Sequence, residues 1–355
     1  LDFSFARALF RCENLIYWHC ARVKTLSFFV EKEDFVALFL SESDVRAVLT
    51  MPLALAAVES AHRALACEGA QDTPRQRTKL PKTMLHILQG ALPGENVIGY
   101  KAYTSNRSGA RFLVHLFAAD TGVPEAVVEA NFLGMMRTGA ASGLASRLLA
   151  RPGARTAGIF GAGWQARGHL EALCTALPGL ERIFVLARDR EWLTAFCREQ
   201  EERLQREIVP AASAQEAVAE RDIVGTVTTA SSPLFDAEWL TPGTHINAAG
   251  SNSLLRRELS PQCVARCELI VVDSVDTALK EAGDLLPALE TGRLCSRQLV
   301  ELGDILTGRH PGRTGPESIS LFESQGLAVQ DLALAQKVVA LARERKLGTE
   351  YPLCV

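Results

Sequence analysis

Aromatic residues make up only 6% of this 355-residue chain, and they are unevenly spread. Phe3, Phe5, Phe10, Tyr17, Trp18, Phe28, Phe29, Phe35 and Phe39 crowd the first forty positions. That opening lacks the basic start, long apolar centre and small-residue cleavage site of a secretory signal. Residues 1–38 are therefore read as an N-terminal extension with no catalytic role. Charge of one sign is also missing. A formal net charge of -3 provides no basic field, which removes nucleic acid and anionic membrane from the expected partners. No apolar run approaches the roughly 20 residues needed to cross a bilayer. The seven histidines show no metal-ligand spacing, and no metal is expected. The nine cysteines (Cys12, Cys20, Cys67, Cys174, Cys197, Cys263, Cys267, Cys295 and Cys354) are scattered and odd in number. Cys263 and Cys267 sit four apart, but neither a second pair nor a nearby histidine completes a zinc set. Reduced thiols in a cytoplasmic protein fit this pattern.

What the chain does carry is a glycine turn between a strand and a helix. Residues 156–169 read Thr-Ala-Gly-Ile-Phe-Gly-Ala-Gly-Trp-Gln-Ala-Arg-Gly-His. The short apolar run Ala157 to Phe160 meets Gly161-Ala162-Gly163, and an amphipathic segment begins at Trp164 and Gln165. This is the order of a dinucleotide-binding βαβ unit. Gly161 allows the turn, and Gly163 lets the backbone approach a pyrophosphate. Ala166 stands where only a small residue fits between helix and strand. The helix N-terminus then offers unpaired N–H groups and partial positive charge to phosphates. Taken alone, such a pattern can be a plain tight turn; its surroundings argue otherwise.

A chain of this length, 48% hydrophobic and 22% charged, suits two domains of ordinary α/β composition. Ser41-Glu-Ser-Asp-Val predicts an N-cap and short helix, broken at Met51-Pro52, and a second helix runs from Pro52 to Cys67. Strands are expected over 83–88, 97–104, 111–118 and 126–130, separated by turn-rich stretches. Thr138 to Ala150 predicts a helix of small residues. Strand and helix then alternate: 157–160, helix 164–177, 183–186, helix 190–204, 208–209, helix 213–220, 223–227, 244–247 and 269–272. That alternation predicts a parallel, doubly wound sheet. A last helix from Ala328 to Glu344 should return to the first half.

Seven motifs occur in order: Pro74-Arg-Gln-Arg-Thr78, Gly99-Tyr-Lys101, Arg137-Thr-Gly-Ala-Ala-Ser142, Gly161-Ala-Gly163, Ile246-Asn-Ala-Ala-Gly-Ser251, Glu281-Ala-Gly-Asp284 and Leu321-Phe-Glu-Ser-Gln-Gly-Leu-Ala-Val-Gln-Asp331. With them the chain resembles the ornithine cyclodeaminase/μ-crystallin family, which includes archaeal-type alanine dehydrogenases and ketimine reductases. The resemblance implies a Rossmann domain over 137–324 and a smaller α+β substrate-binding and dimerisation domain over 39–136 with 325–355, closed by the C-terminal helix. It also implies a homodimer. Arg77, placed in a polar loop, would hold a substrate carboxylate, a task suited to a planar guanidinium; Arg75 is the alternative. Lys101, inside an apolar strand, would contact the same carboxylate and polarise the reacting centre. Arg137 would reach the carboxylate from a helix start, while Thr138 meets cofactor phosphate. Thr226, Val227 and Thr228 would line the cofactor crevice, and Ala249, Gly250 and Ser251 the nicotinamide pocket. Asp331 would close near the nicotinamide, although an acid near a helix start also has a purely structural reason to be there. Glu281, Gly283 and Asp284 are read as loop and helix-cap structure.

Two positions discriminate further. An acidic residue about 20 positions beyond the glycines normally takes the ribose hydroxyls of NAD. Ala187 stands there, followed by Arg188, whose cation suits the 2′-phosphate of NADP; Asp189 is either the acid one place late or a helix cap. NADP(H) is favoured and NAD(H) stays open. True cyclodeaminases place an aspartate near Asn252, and an amide is no useful base, while Glu258 looks too distant to replace it. The leading expectation is an NAD(P)-dependent oxidoreductase that reduces a cyclic ketimine of the pyrroline- or piperideine-2-carboxylate type, with Lys101, Asn252 and Asp331 nearest the chemistry. The alternatives are ornithine cyclodeaminase, an alanine dehydrogenase-like enzyme, or an NADPH-dependent binding protein of μ-crystallin type.

Overall fold

Ser41 opens the first helix with a capping box. Its N–H donates to Asp44 Oδ2 at 3.0 Å, and its hydroxyl accepts from the Asp44 N–H. In this computed structural model, which describes residues 35–353, strand β1 (Phe35–Leu40) leads into helix α1 (Glu42–Val48). Of the expected extension over 1–38, residues 1–34 lie outside the described residues, and the boundary at 38 is corrected because 35–38 already belong to β1 of the first sheet. Pro52 sits in the first turn of α2 (Met51–Cys67), where its missing N–H costs nothing. Five strands follow: β2 (Gln71–Lys79), β3 (Met84–Leu92), β4 (Val97–Asn106), β5 (Gly109–Ala118) and β6 (Pro124–Glu129). They pair antiparallel in sequence order, and β1 adds to β6 in parallel.

Strand β2 corrects the reading of Arg77 as a loop residue. Its text, Gln-Asp-Thr-Pro-Arg-Gln-Arg-Thr-Lys, lacks the apolar alternation that marks a half-buried strand. It is nevertheless the edge of a seven-stranded sheet, with Pro74 accommodated at a register shift between Thr73 and Gln76. Helix α3 (Asn131–Leu149) also begins earlier than the expected Thr138. The carboxylate of Glu42 accepts the N–H groups of Asn131 and Phe132, a cap supplied from a distant part of the chain. Arg137 and Thr138 consequently lie inside the helix rather than before it.

The second sheet is built from β7 (Thr156–Phe160), α4 (Trp164–Ala176), β8 (Arg182–Leu186), α5 (Arg190–Leu204), β9 (Glu207–Pro210), β10 (Ile223–Thr226) and β11 (His245–Ala248). It continues through α6 (Pro261–Ala265), β12 (Leu269–Val272), α7 (Val275–Glu281), α8 (Leu286–Glu290), β13 (Leu299–Glu301), α9 (Leu302–Leu306) and β14 (Ser320–Glu323). The strand order is β13-β12-β14-β11-β10-β7-β8-β9, and every pairing is parallel. This is the expected doubly wound sheet, with β13 and β14 as unforeseen members. The helix expected over 213–220 is instead a run of turns. The Ala217 carbonyl presses on Gly158 of β7 so closely that no Cβ fits there.

Helix α10 (Ala328–Glu344) packs on α2, β3 and β4, as its apolar face predicted, and β15 (Thr349–Leu353) follows it to the far edge of the first sheet. Helices α3 and α4 cross at Gly139 and Gly168, where the two backbones touch. Among the described residues no helix is long and apolar enough to cross a membrane.

Candidate active site

The glycine turn has the geometry that its sequence implied. Gly161 adopts φ 111° and donates its N–H to the Leu186 carbonyl at 2.8 Å, while a Cβ would lie 2.8 Å from the Val227 oxygen. Only glycine meets both demands. Gly163 is the N-cap of α4 and forms no side-chain cap; a Cβ there would meet nothing within 4 Å. Open space therefore faces the unpaired N–H groups of the helix start, the arrangement a pyrophosphate needs. Ala166 is fully buried against the sheet. Asp189 caps α5 by accepting from the Trp192 N–H at Oδ1, 3.0 Å away. The Trp192 indole donates to the Ala162 carbonyl at 2.7 Å and fixes the turn from outside. Arg188 is exposed and has no ion-pair partner among the described residues.

A cavity of about 720 Å³ opens beside this turn. Arg77, Lys101, Arg137, Thr138, Trp164, Gln165, Ala249, Gly250, Ser251 and Asn252 all line it, which brings together residues from both sheets. Gly161, Ala162, Gly163, Arg188, Thr226, Val227, Thr228 and Asp331 do not line it. Val227 and Thr228 instead pack against Gly161, and Asp331 lies directly behind the cations.

Those cations form two carboxylate-centred groups. Asp331, fully buried in the first turn of α10, accepts at Oδ1 from Lys101 Nζ at 2.9 Å and from Arg137 Nε at 3.1 Å. Gln330 Oε1 takes Arg137 Nη1 at 3.2 Å. Glu281, at the end of α7, binds both arginines of β2, Arg75 and Arg77, the latter through Nη1 at 3.1 Å. Arg77 also donates to the Asn252 backbone carbonyl at 2.7 Å, tying β2 to the loop after β11. Arg75 is buried and donates to the Gln325 carbonyl at 3.1 Å, whereas Arg77 stays accessible from the cavity. Four cations thus face two anions, a balance that leaves room for an anionic ligand.

Burial of the Lys101 ammonium, opposed by Asp331 and reinforced by Arg137 and Arg75, brings its pKa down to about 8. Gly134 lies alongside it: a Cβ there would stand 3.4 Å from Nζ, in ordinary contact. The Phe112 ring lies 5.3 Å away, a favourable face for a cation. Opposite, His86 stacks on Tyr103 with ring centres 4.2 Å apart, and burial with two nearby arginines lowers its pKa to about 4, so it is neutral. Thr138 donates its hydroxyl to the Gly134 carbonyl at 2.7 Å, which leaves it as an acceptor toward the cavity.

Sequence reasoning treated Glu281 as structural and missed Gln330 and Asp273. Asp273 Oδ1 accepts from Gln330 Nε2 at 2.9 Å, and Oδ2 holds the Gln325 and Gly326 N–H groups at 2.8 Å each. This network sets the turn that enters α10 and, through Gln330, the Arg137 guanidinium. Both oxygens of Glu258 are engaged, by Thr228 and by Gly250.

The fold and this site define an α/β protein of the dinucleotide-binding type, with a cation-lined cavity beside the start of the helix that follows the glycine turn. The chain belongs to the ornithine cyclodeaminase/mu-crystallin family, which residues 35–346 match. It is 38% identical to the Delta(1)-pyrroline-2-carboxylate reductase of Bacillus cereus over 270 residues, 74% of this chain and 82% of that protein. Its structure is similar to that of Thermococcus litoralis Delta(1)-pyrroline-2-carboxylate reductase in complex with NADH and L-proline (TM-score 0.84, 31% identity, 88% of this chain and 99% of that one). An archaeal alanine dehydrogenase dimer with bound NAD is equally similar in fold (TM-score 0.84, 29% identity, 90% and 100%).

Proposed function

We propose that this protein is a nicotinamide-dependent oxidoreductase that reduces a cyclic ketimine of the pyrroline- or piperideine-2-carboxylate type. The observation that carries the reading is the convergence of Arg77, Lys101 and Arg137 on one cavity beside the glycine turn. The similarity to two pyrroline-2-carboxylate reductases supports the substrate class. Residues 137–324 would hold the cofactor, and 39–136 with 325–355 the substrate and the dimer contact.

In this reading Arg77 and Arg137 grip the substrate carboxylate, and Lys101 Nζ supplies a third positive contact and a proton. The bound cofactor supplies the hydride. The protein would contribute alignment: with the carboxylate fixed, the imine carbon would be held in the cavity that Trp164 and Gln165 also line, and positioning removes much of the barrier. Phe112 and Met84 give the cavity apolar wall on the substrate side. Asn252 offers no base, and Glu258, the nearest acid downstream, is committed elsewhere, which counts against hydrolytic deamination of ornithine. Arg188, exposed and without an ion-pair partner among the described residues, favours NADP(H) over NAD(H). For the homodimer, the outward face of the first sheet supplies Ile98 and Leu85, exposed apolar side chains, beside the stacked Tyr100 and His115.

The test is direct. Purified protein given pyrroline-2-carboxylate and NADPH or NADH should consume the reduced nicotinamide, as followed by its absorbance. Release of ammonia from ornithine with no net change in cofactor would overturn the proposal in favour of cyclodeamination.

A further inference from the structure

Glu258 is fully buried, and its carboxylate meets three donors. Oε1 accepts from the Thr228 N–H at 2.7 Å and from the Thr228 hydroxyl at 2.6 Å, and Oε2 accepts from the Gly250 N–H at 3.0 Å. Thr228 lies just after β10 and Gly250 just after β11, two neighbouring parallel strands. One side chain therefore ties together two loops at the carboxyl ends of the sheet, where open α/β sheets bind their ligands.

Both loops lead to the crevice. The bond to Gly250 closes residues 250–258 into a ring, and Ser251, Asn252 and Leu254 from that ring line the cavity. On the other side, a Cβ on Gly161 would lie 3.4 Å from the Thr228 methyl. Glu258 is itself held from behind: Asp284 Oδ1 accepts its N–H and that of Leu259, each at 2.6 Å. Gly250 has no space for a side chain, because its Cβ would strike the Glu258 carboxylate.

We propose that Glu258 is a positioning residue for the dinucleotide. It does not touch the ligand; it fixes the spacing of Thr228 and Gly250, and with them the shape of the cofactor crevice. The proposal rests on the dinucleotide-binding reading above. A carboxylate is the group that fits, since all three neighbours donate and a carboxylate only accepts. Glutamine can keep the Thr228 pair but turns an NH2 group against the Gly250 N–H.

The experiment is Glu258→Gln, with NADH and NADPH dissociation constants from fluorescence titration and the KM for pyrroline-2-carboxylate at saturating cofactor. Both nucleotides should bind about tenfold more weakly, the scale of one lost charge-assisted hydrogen bond, while the imine KM moves by less than about half that factor. Nucleotide affinities like the wild type's, with only a lower kcat, would mean a merely structural role and overturn the proposal. If Glu258→Gln does not fold, Glu258→Asp, one methylene short of Gly250, is measured the same way, with amide hydrogen exchange of residues 250–256. Faster exchange with weaker nucleotide binding supports the proposal, and wild-type behaviour in either overturns it. A wild-type protein that binds neither nucleotide would instead overturn the dinucleotide reading itself.

Discussion

Substituting Asp331→Asn removes one charge from the site with almost no change of shape. Asp331 Oδ1 carries both bonds, to Lys101 and Arg137, while Oδ2 is buried with no hydrogen-bond partner among the described residues. The new amide nitrogen can take the Oδ2 place without facing a donor. What is lost is the anion 2.9 Å from Lys101 Nζ, the main force opposing desolvation of the ammonium. An opposite charge at such range is worth about one to three pKa units. The Lys101 pKa, about 8 in the intact site, should fall to between about 5 and 7. The sign is fixed by the cation: protonated Lys101 is the active form, so kcat/KM for the imine declines as pH rises through this pKa. The alkaline limb of the profile should move from about 8 to the lower range. At pH 7.5, taking a shift of two units, the protonated fraction drops by about 25-fold. A pH series of kcat/KM, with folding checked by circular dichroism, makes the measurement. Adding Lys101→Met should then cost less in the variant than it does alone, because the two residues act as a unit. An alkaline limb that stays in place in Asp331→Asn would refute the argument and remove Lys101 from the proton chemistry.

Arg75 and Arg77 share Glu281 but should respond differently to truncation. Arg77→Ala should raise the imine KM at least about tenfold with little change in thermal midpoint, because that guanidinium is partly exposed. Arg75→Ala leaves a buried carboxylate short of its closest partner and should lower stability by about 3–5 kcal/mol in denaturant unfolding; equal effects on KM and stability from both would contradict this division. Arg188→Ala should weaken NADPH binding more than NADH binding, and equal losses would leave no argument for NADP(H). Gly139→Ala places a methyl group against the Gly168 backbone at the α3–α4 crossing and should destabilise by about 1–3 kcal/mol, measured as a lower thermal midpoint; an unchanged midpoint would mean that the helices can separate freely.

The elements that were legible in the sequence are those whose signals are local. Ser41 and Asp44, three residues apart, start α1; Asp189 starts α5; the glycine turn sits between a strand and a helix that it alone can join. The elements that were misread depend on distant partners. Helix α3 begins at Asn131 because Glu42, 89 residues upstream, caps it. Asn131, a residue type that favours helix starts, was the local signal, but it stands one place inside the helix and the cap itself comes from Glu42. Strand β2 is polar because it is an edge whose Arg75 and Arg77 face a cavity, so its alternation is one of function rather than hydrophobicity.

The site divides along the same line. Its cations were readable because a lysine inside Val97-Ile-Gly-Tyr-Lys-Ala-Tyr is anomalous where it stands and demands a reason. Its anions were harder, since their partners lie 206 residues away for Glu281 and 230 for Asp331. Asp331 occupies the first turn of a helix, where a carboxylate is favoured on local grounds, and so its second role was hidden behind its first. Glu281 is the opposite case. It ends α7, where the helix dipole disfavours an anion. A buried carboxylate in that position needs cations from elsewhere, and the two arginines of β2 provide them.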